Sequence, residues 1–392
     1  PGIKPRTSNE NTIEINKGEV ITFISPNLPR LDKCIELTKP LPNYAKNLKN
    51  FSLNDGQFIF DTTGTGNGII SGRSRENFTL HPKKGINIPG SVFDEDAQFE
   101  IYNSFISQIE HLEVDALGLS FVQTGALVEK IKQRVPNLLM ISKIENSEGL
   151  KNCKEIAAAS DAVMIDRGDL VAEIGYDKLF LAIEKIAEVS KSYGKPLVMA
   201  TENLESMVHR QMPSKSEVIS LAHSAQIGVD CFMLSEETAL SKNKHIIVSW
   251  LTDFLTSNTT AKRSYPKIPT EPDQEVTIWD ALAFNSSTPI VIMTKSGRAI
   301  SKFLAKSGSS KVFILSNNTK VIKLCQLYSN SLTSITMEID TTPTVEILWD
   351  SIEKNTDIIF ESSDKIIAIY VSKYIKAPKV NTITLFSRDD FE

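Results

Sequence analysis

A lysine, an arginine and two carboxylates near the middle of the chain are of the right types to do chemistry together. The stretch "ISKIENSEGL" (141–150) places Lys143 and Glu145 two positions apart, so on a strand both point to one face. Further on, "DRGD" (166–169) supplies Arg167 and Asp169. Glu145 and Asp169 each follow an apolar run, and if those runs are adjacent strands their carboxylates can approach one another. Two carboxylates completed by waters and substrate oxygens describe a Mg²⁺ site of the phosphate-handling kind. Lys143 and Arg167 add positive charge beside them, which is what a transferring phosphoryl group needs on its oxygens. The plainer alternative is a set of salt bridges with no ligand. Zinc is not expected, because His81, His111, His209, His223 and His245 share no metal-ligand spacing.

Such a cluster needs elements to carry it. From about residue 98 apolar stretches alternate with amphipathic ones. Strands are expected at "DALGLSFV" (115–122), "LLMISKI" (138–144), "DAVMI" (161–165), "PLVMA" (196–200) and "DCFML" (230–234), and helices at roughly 124–134, 148–159, 177–193 and 214–227. In the third of these helices Leu179, Ile183, Ile186 and Val189 recur at spacings of three and four. Continuously apolar strands alternating with helices imply a parallel sheet covered by helices. Polar residues collect just after the strands, in "KIEN", "DRGD", "TENLES" and "SEET". Any one strand must end in polar residues where it meets water. Four in succession favour a shared site at the carboxyl ends of a (β/α)8 barrel.

The flanks read differently. Residues 1–90 are β-rich, with short alternating stretches such as "EVITFI" (19–24) and "GQFIF" (56–60) between Pro, Asn and Gly turns. The glycine-rich "DTTGTGNGIISGR" (61–73) could suggest a phosphate cradle, but no helical pattern follows it, so a hairpin turn is expected. A linker is expected after about residue 257, where "SNTTAKRSYPKIPTEPDQE" begins. Residues 276–392 alternate again. Strands are expected at 289–294, 311–316, 365–371 and 382–386 and helices near 298–307 and 319–328, giving a second, smaller α/β domain.

Composition narrows the class. The chain has 392 residues, 41% hydrophobic and 23% charged, with a net charge of −5. That is ordinary for a globular protein long enough for two or three domains. No basic block or aromatic–basic interleaving points to nucleic acid, and no apolar run reaches the length of a membrane span. Cys34, Cys153, Cys231 and Cys325 form no CxxC and suit a reducing, cytoplasmic compartment. The opening "PGIKPRTSNE" is polar and lacks Met, so the expectation is a trimmed start or a fragment with no secretory leader.

"KIENSEGLKN" (143–152), "MIDRGDLVAEI" (164–174), "GKPLVMATENLESM" (194–207) and "DCFMLSEETA" (230–239) together resemble the pyruvate kinase family, in that order and at that spacing. "LNDGQFIF" (53–60) and "KKGINIPG" (83–90) look like the end of its β-barrel lid domain. "SFV" (120–122) is similar to its next barrel strand, and "MTKSGRAISKFLAKSG" (293–308) to the phosphate-binding turn of its C-terminal domain. "GIKPRT" (2–7) resembles the stretch where its chain leaves the third barrel strand. The implied fold class is α/β, of (β/α)8 TIM-barrel type but incomplete, with five of eight strands in this chain. It has an inserted β-barrel lid domain over residues 1–90, a catalytic barrel domain over 91–257 and a C-terminal α/β domain over 276–392.

The resemblance also implies a reaction: phosphoryl transfer from phosphoenolpyruvate to ADP, giving pyruvate and ATP in glycolysis. It assigns Glu145 and Asp169 to Mg²⁺ or Mn²⁺, and Lys143 to the transferring phosphoryl group. Arg167, Gly168 and Asp169 fall beside the substrate carboxylate, Thr201 near the enolate face that is protonated, and Ser235 in a proton relay. Arg6, Asp55 and Lys84 match lid positions that contact nucleotide or close the cleft. K⁺ is also implied, with ligands on strands outside this chain, as is a homotetramer. Thr294, Lys295, Ser296, Gly297 and Arg298 form a turn that either holds a phosphate effector or is an ordinary strand-to-helix turn.

The chain departs from the pattern in two ways. An open five-stranded sheet would expose apolar edges, so either a longer chain or a partner is expected to supply the missing strands. Asp166, Val171, Glu202 and Glu236 stand where the family has a small residue, glycine, glutamine and glycine. Asp166, Glu202 and Glu236 add negative charge near a site for an anionic substrate, each costing on the order of 1 kcal/mol if it faces inward. A catalytically impaired paralogue acting as a regulatory or structural subunit is therefore the alternative reading. A metal-dependent aldolase would share Glu145 and Asp169 but not the lid motifs.

Overall fold

The computed structural model describes residues 2–29, 34–109, 111–258, 288–304, 311–328, 332–336, 344–370 and 382–391. It is an α/β structure with two five-stranded sheets, one parallel and one parallel but for its edge strand, and an antiparallel-rich unit before them. The first unit holds β1 (Ile13–Ile15), β2 (Val20–Ile24), β3 (Cys34–Glu36), β4 (Asn50–Leu53), β5 (Phe58–Gly66), β6 (Ile69–Ser74), β7 (Phe78–Leu80) and β8 (Ile86–Asn87). Six of these form a sheet in the order β3-β2-β6-β5-β4-β8, and β1 pairs with β7. The alternating residues bury Phe23, Phe51 and Phe60, whose rings meet edge-on at 5.7 Å and stack at 5.2 Å. The glycine-rich stretch is the β5–β6 hairpin, turning at Gly68.

The second sheet holds β9 (Ala116–Leu119), β10 (Leu139–Ile144), β11 (Ala162–Asp166), β12 (Leu197–Ala200) and β13 (Cys231–Phe232), parallel and in chain order. Its strands alternate with helices at Gly125–Arg134, Cys153–Ala159, Tyr176–Ser192 and Lys215–Gln226. Successive residues on each strand alternate between its two faces. Leu117, Leu119, Met140, Ile144, Val163, Ile165, Leu197 and Met199 pack under the helices against Val128, Ile131, Ile156 and Ile186. Ile141, Met164, Val198 and Ala200 line the opposite face. Lys143 and Asp166 follow Ile141 and Met164 on that face, so strand period alone directs both away from the helix-covered core.

Sequence pattern missed three longer helices beside this sheet, one of them Lys244–Ser257, whose Ile247 and Leu251 pack against Leu204, Met207 and Leu221. Glu95–Ile109 precedes β9 and buries Tyr102 and Ile106, and Arg167–Ile174 begins directly at the end of β11. Arg167–Ile174 starts without a side-chain cap, so nothing at Asp166 announces it.

The third sheet holds β14 (Ile290–Met293), β15 (Val312–Ser316), β16 (Leu332–Thr336), β17 (Lys365–Tyr370) and β18 (Thr382–Ser387), ordered β16-β15-β14-β17-β18 with β18 antiparallel. β16 and the helix Val345–Glu353 had no counterpart in the sequence reading. The linker expected after about residue 257 falls on residues 259–287, outside the described residues. This unit meets the second sheet at its amino ends. Lys323 pairs with Asp115 at 2.5 Å, Lys320 with Asp161 at 3.3 Å, and the Tyr328 hydroxyl donates to Gly194 O at 2.6 Å. Gly194 has φ +60°, and a Cβ there would lie 1.8 Å from Ser301 O, so the contact admits only glycine. The carboxyl ends of β9–β13 are thereby left free of it.

Candidate active site

Three carboxylates converge at the carboxyl ends of β10 and β11. One oxygen each of Glu145, Asp166 and Asp169 lies within 4.8 Å of the others. Parallel register puts Ile144 opposite Ile165 and Asp166 opposite Ala200, so the residues leaving these strands emerge side by side. Lys143 Nζ lies 2.6 Å from Glu145 Oε1 and 3.0 Å from Asp166 Oδ2. Glu145 is 1% exposed, and its Oε2 accepts the Phe121 amide at 2.5 Å. Phe121 reaches that position with φ +53°, a left-handed backbone that a bulky residue rarely adopts. Glu145 Oε1 has the ion pair with Lys143 but no hydrogen-bond donor in acceptable geometry.

Charge and burial oppose each other here. Burial pushes the Glu145 carboxyl up to about 8 against the pull of Lys143, and Asp169 and Asp166 push the same way. Burial likewise holds Asp169 above its ordinary value despite Lys4. Burial pulls Lys143 down, but Glu145 and Asp166 outweigh it and keep the ammonium charged well above the usual range. Crowding and burial thus disfavour full negative charge on this cluster, and a further cation would relieve it. The donor set is hard oxygen, and one buried oxygen lacks a hydrogen-bond donor. Both features fit a divalent cation of the Mg²⁺ or Mn²⁺ type.

Lys4 supplies the second cation, and the sequence reading did not single it out. Its Nζ lies 2.5 Å from Asp169 Oδ1 and 2.6 Å from Asp55 Oδ1, with the side chain 5% exposed. Asn87 Nδ2 also donates to Asp169, at 3.3 Å. Asp55 sits in the β4–β5 turn, so one lysine ties the first unit to the carboxylate cluster. Gly56 in that turn packs against Ala172, where a Cβ would lie 3.0 Å from the alanine methyl.

Arg167 does not point at the metal-type carboxylates, contrary to the charge argument from sequence. Its Nε donates to Thr201 O at 3.2 Å, Nη1 to Ser220 Oγ at 2.9 Å and Nη2 to Asn203 Oδ1 at 3.1 Å. It braces the loop after β12, where Thr201 and Glu202 both have positive φ. The Thr201 hydroxyl accepts from the Arg167 and Gly168 amides at 3.1 and 3.3 Å and lies 3.3 Å from Asp166 Oδ1. Lys143, Glu145, Asp166, Gly168, Asp169 and Thr201 thus share one locus, held by neighbouring strands.

The remaining expected residues lie around it. Ser235 precedes the short helix Glu236–Ala239, and its amide donates to Glu237 at 2.8 Å. Arg6 and Lys84 flank one β-bridge between residues 6 and 85; Arg6 Nη1 donates to Lys83 O at 3.1 Å, and the Lys84 amide to Thr7. Thr294 to Arg298 form a turn after β14, closed by the Gly297 amide donating to Thr294 Oγ1 at 3.1 Å. Of the added acidic residues only Asp166 enters the cluster. Glu202 is exposed, and Glu236 lines a cavity of about 390 Å³ with Glu205, His209 and Lys242. Val171 is buried in the helix after β11.

A family profile described as "Pyruvate kinase, barrel domain" matches residues 2–245. The chain belongs to the pyruvate kinase family. Similar family members include a cytosolic pyruvate kinase isozyme of Nicotiana tabacum, 36% identical over 196 residues, covering 47% of this chain and 38% of that protein. The pyruvate kinase of Encephalitozoon cuniculi is 32% identical over 254 residues, covering 61% and 56%. That of Thermotoga maritima is 26% identical over 248 residues, covering 62% and 53%. The matched stretch spans about half or less of these family members' own length. In fold the chain is similar to a crystal structure of a pyruvate kinase from Cryptosporidium parvum, with TM-score 0.77 and 22% identity over 98% of this chain and 82% of that one. A pyruvate kinase from Pyrobaculum aerophilum gives 0.76 and 20%, covering 98% and 83%. Among the described residues no helix is long and apolar enough to cross a membrane.

Proposed function

We propose that this chain carries the phosphoryl-transfer site of a pyruvate kinase: phosphoenolpyruvate and ADP in, pyruvate and ATP out. The carrying observation is the convergence of Lys143, Glu145, Asp169 and Thr201 at the carboxyl ends of adjacent parallel strands in a chain of this family. Glu145 and Asp169 would hold Mg²⁺ or Mn²⁺, which supplies charge neutralisation for phosphate oxygens. Lys143 meets the transferring group as its bond to the enolate oxygen breaks and a bond to an ADP oxygen forms. The Thr201 hydroxyl faces the position where the enolate carbon gains its proton. Arg167 acts through Thr201 rather than on substrate, and Ser235 belongs to the outer proton path. Asp55, Arg6 and Lys84 serve the nucleotide side.

In this reading the second sheet is five-eighths of a (β/α)8 barrel, residues 1–90 are an inserted lid, and residues 276–392 are a C-terminal α/β domain. K⁺ assists from strands outside this chain, and the assembly is a cytoplasmic homotetramer. The turn Thr294–Arg298 is offered as an ordinary strand-to-helix turn, since its own hydroxyl already closes it. With the strands that complete the barrel present, a lactate-dehydrogenase-coupled assay with phosphoenolpyruvate, ADP, Mg²⁺ and K⁺ is expected to show turnover. Folded, metal-binding protein with no turnover above background would sink the reading. One observation favours the alternative of an impaired paralogue: Asp166 ion-pairs the catalytic lysine at 3.0 Å.

A further inference from the structure

We infer that Asp166 is a third carboxylate ligand of the divalent-cation site, so that this chain binds its metal tightly before any substrate arrives. The inference rests on the metal-dependent reading above. Asp166 stands where the family has a small residue, yet it is 7% exposed and lies on the strand face that carries Lys143 and Glu145. Its ligand oxygen falls within 4.8 Å of those of Glu145 and Asp169, the separation two oxygens take when they share one ion at about 2.0–2.4 Å. The independent sign of a ligand is Glu145 Oε1, buried, directed into the cluster and met only by the Lys143 ammonium that it shares with Asp166, with no hydrogen bond of acceptable geometry.

Lys143 and Lys4 cannot satisfy this cluster by themselves. Lys143 is shared between Glu145 and Asp166, and Lys4 is shared between Asp169 and Asp55. Two ammonium groups therefore face four carboxylates. A two-carboxylate site of this kind relies on substrate oxygens to complete the ion's shell. A third carboxylate replaces one of those oxygens and adds attraction in a poorly hydrated place, where charge count governs affinity. It also leaves the loaded site one charge less positive toward an anionic substrate. The competing role for Asp166 is that of a simple counter-ion to Lys143, and it predicts metal binding that stays near the wild-type value or tightens, because removing a counter-ion loses no ligand.

The test is Mn²⁺ binding to the full chain without substrate, followed by titration calorimetry and by the loss of the free-ion electron paramagnetic resonance signal. Asp166→Ala is expected to weaken Mn²⁺ binding by at least about tenfold, and Asp166→Asn, which keeps the shape and the Thr201 contact, by somewhat less. Glu202→Gln removes an exposed carboxylate nearby and is expected to change it less than about twofold. Equal or tighter binding in both Asp166 variants overturns the inference, and the asparagine variant carries the test if alanine does not fold. Metal-tight wild-type protein with metal-weak variants but no ATP formation leaves this inference standing and removes the proposed reaction. ATP formation with metal-indifferent Asp166 variants does the reverse.

Discussion

The two parallel sheets of this molecule share an architecture and differ in how their strands end. In the sheet of β14–β18 the hydroxyls at the ends of β14 and β15 bond their own turns: Thr294 accepts from Gly297, and Ser316 from Asn318 at 3.2 Å, with one amide crossing from Asn318 to Lys295 O at 3.0 Å. Separate apolar cores pack on its two faces. In the sheet of β9–β13 the strand-end groups bond across strands instead. Lys143 reaches Asp166, Thr201 reaches Asp166, and the Phe121 amide reaches Glu145. Its helix-covered face holds a large core, while the other holds a thin layer around Met164, Val198 and Ala200. A strand end that satisfies itself locally has nothing left for a ligand. One that depends on its neighbours is a site whose geometry the whole sheet maintains.

The contrast can be broken or sharpened by substitution. Lys143→Met is expected to lower kcat by about 10²–10³, as loss of a charge-stabilising donor does. Ser316→Ala at the matching end of β15 should leave kcat within about twofold; equal losses in the coupled assay would erase the distinction. Lys4→Met leaves Asp169 with an uncompensated charge and is expected to cost roughly 3 kcal/mol at neutral pH by urea unfolding. A loss under about 0.5 kcal/mol would mean the bridge between the first unit and the cluster is idle.

The pH dependence of stability tests burial in the helix that follows β11. Burial pushes the Glu173 carboxyl up to about 8 despite Lys4, and its Oε2 lacks a hydrogen-bond partner. The native state therefore keeps a proton that the unfolded chain loses near its ordinary value of about 4.3. Native protein binds more protons between those values, so stability falls as pH rises toward 8. Glu173→Gln is expected to recover about 1–2 kcal/mol at pH 8 relative to pH 6 in urea unfolding, and an unchanged slope would refute the assignment. The smallest effect belongs to the other sheet: Thr294→Val removes one local acceptor and should cost about 1 kcal/mol, with metal binding untouched.

Much of this was legible from period and motif. All five strands of the second sheet are present and so are the helices expected between them, except that the one expected over 148–159 is broken into Ser147–Lys151 and Cys153–Ala159. The hairpin reading of the glycine-rich stretch also holds. The helix Arg167–Ile174 was missed because it lacks a cap and because "RGDLVAEI" reads as a loop until its backbone follows β11. Arg167 was misplaced for a related reason: sequence gives the charge of a guanidinium but not its direction, and here Thr201, Asn203 and Ser220 take it. Lys4 lies far in sequence from Asp169, so no spacing rule connects them.

The sequence by itself determined which residues share a strand face and which follow strands, because strand period and apolar runs are local properties. That sufficed to pair Lys143 with Glu145 and to place Asp169 nearby. The tertiary structure decided which charges meet. Register between β10 and β11 brought Asp166 to Lys143, the fold of the first unit delivered Lys4 to Asp169, and a left-handed Phe121 aimed its amide at Glu145. Coulomb energy and burial depend on distance in space, and only the folded chain sets that.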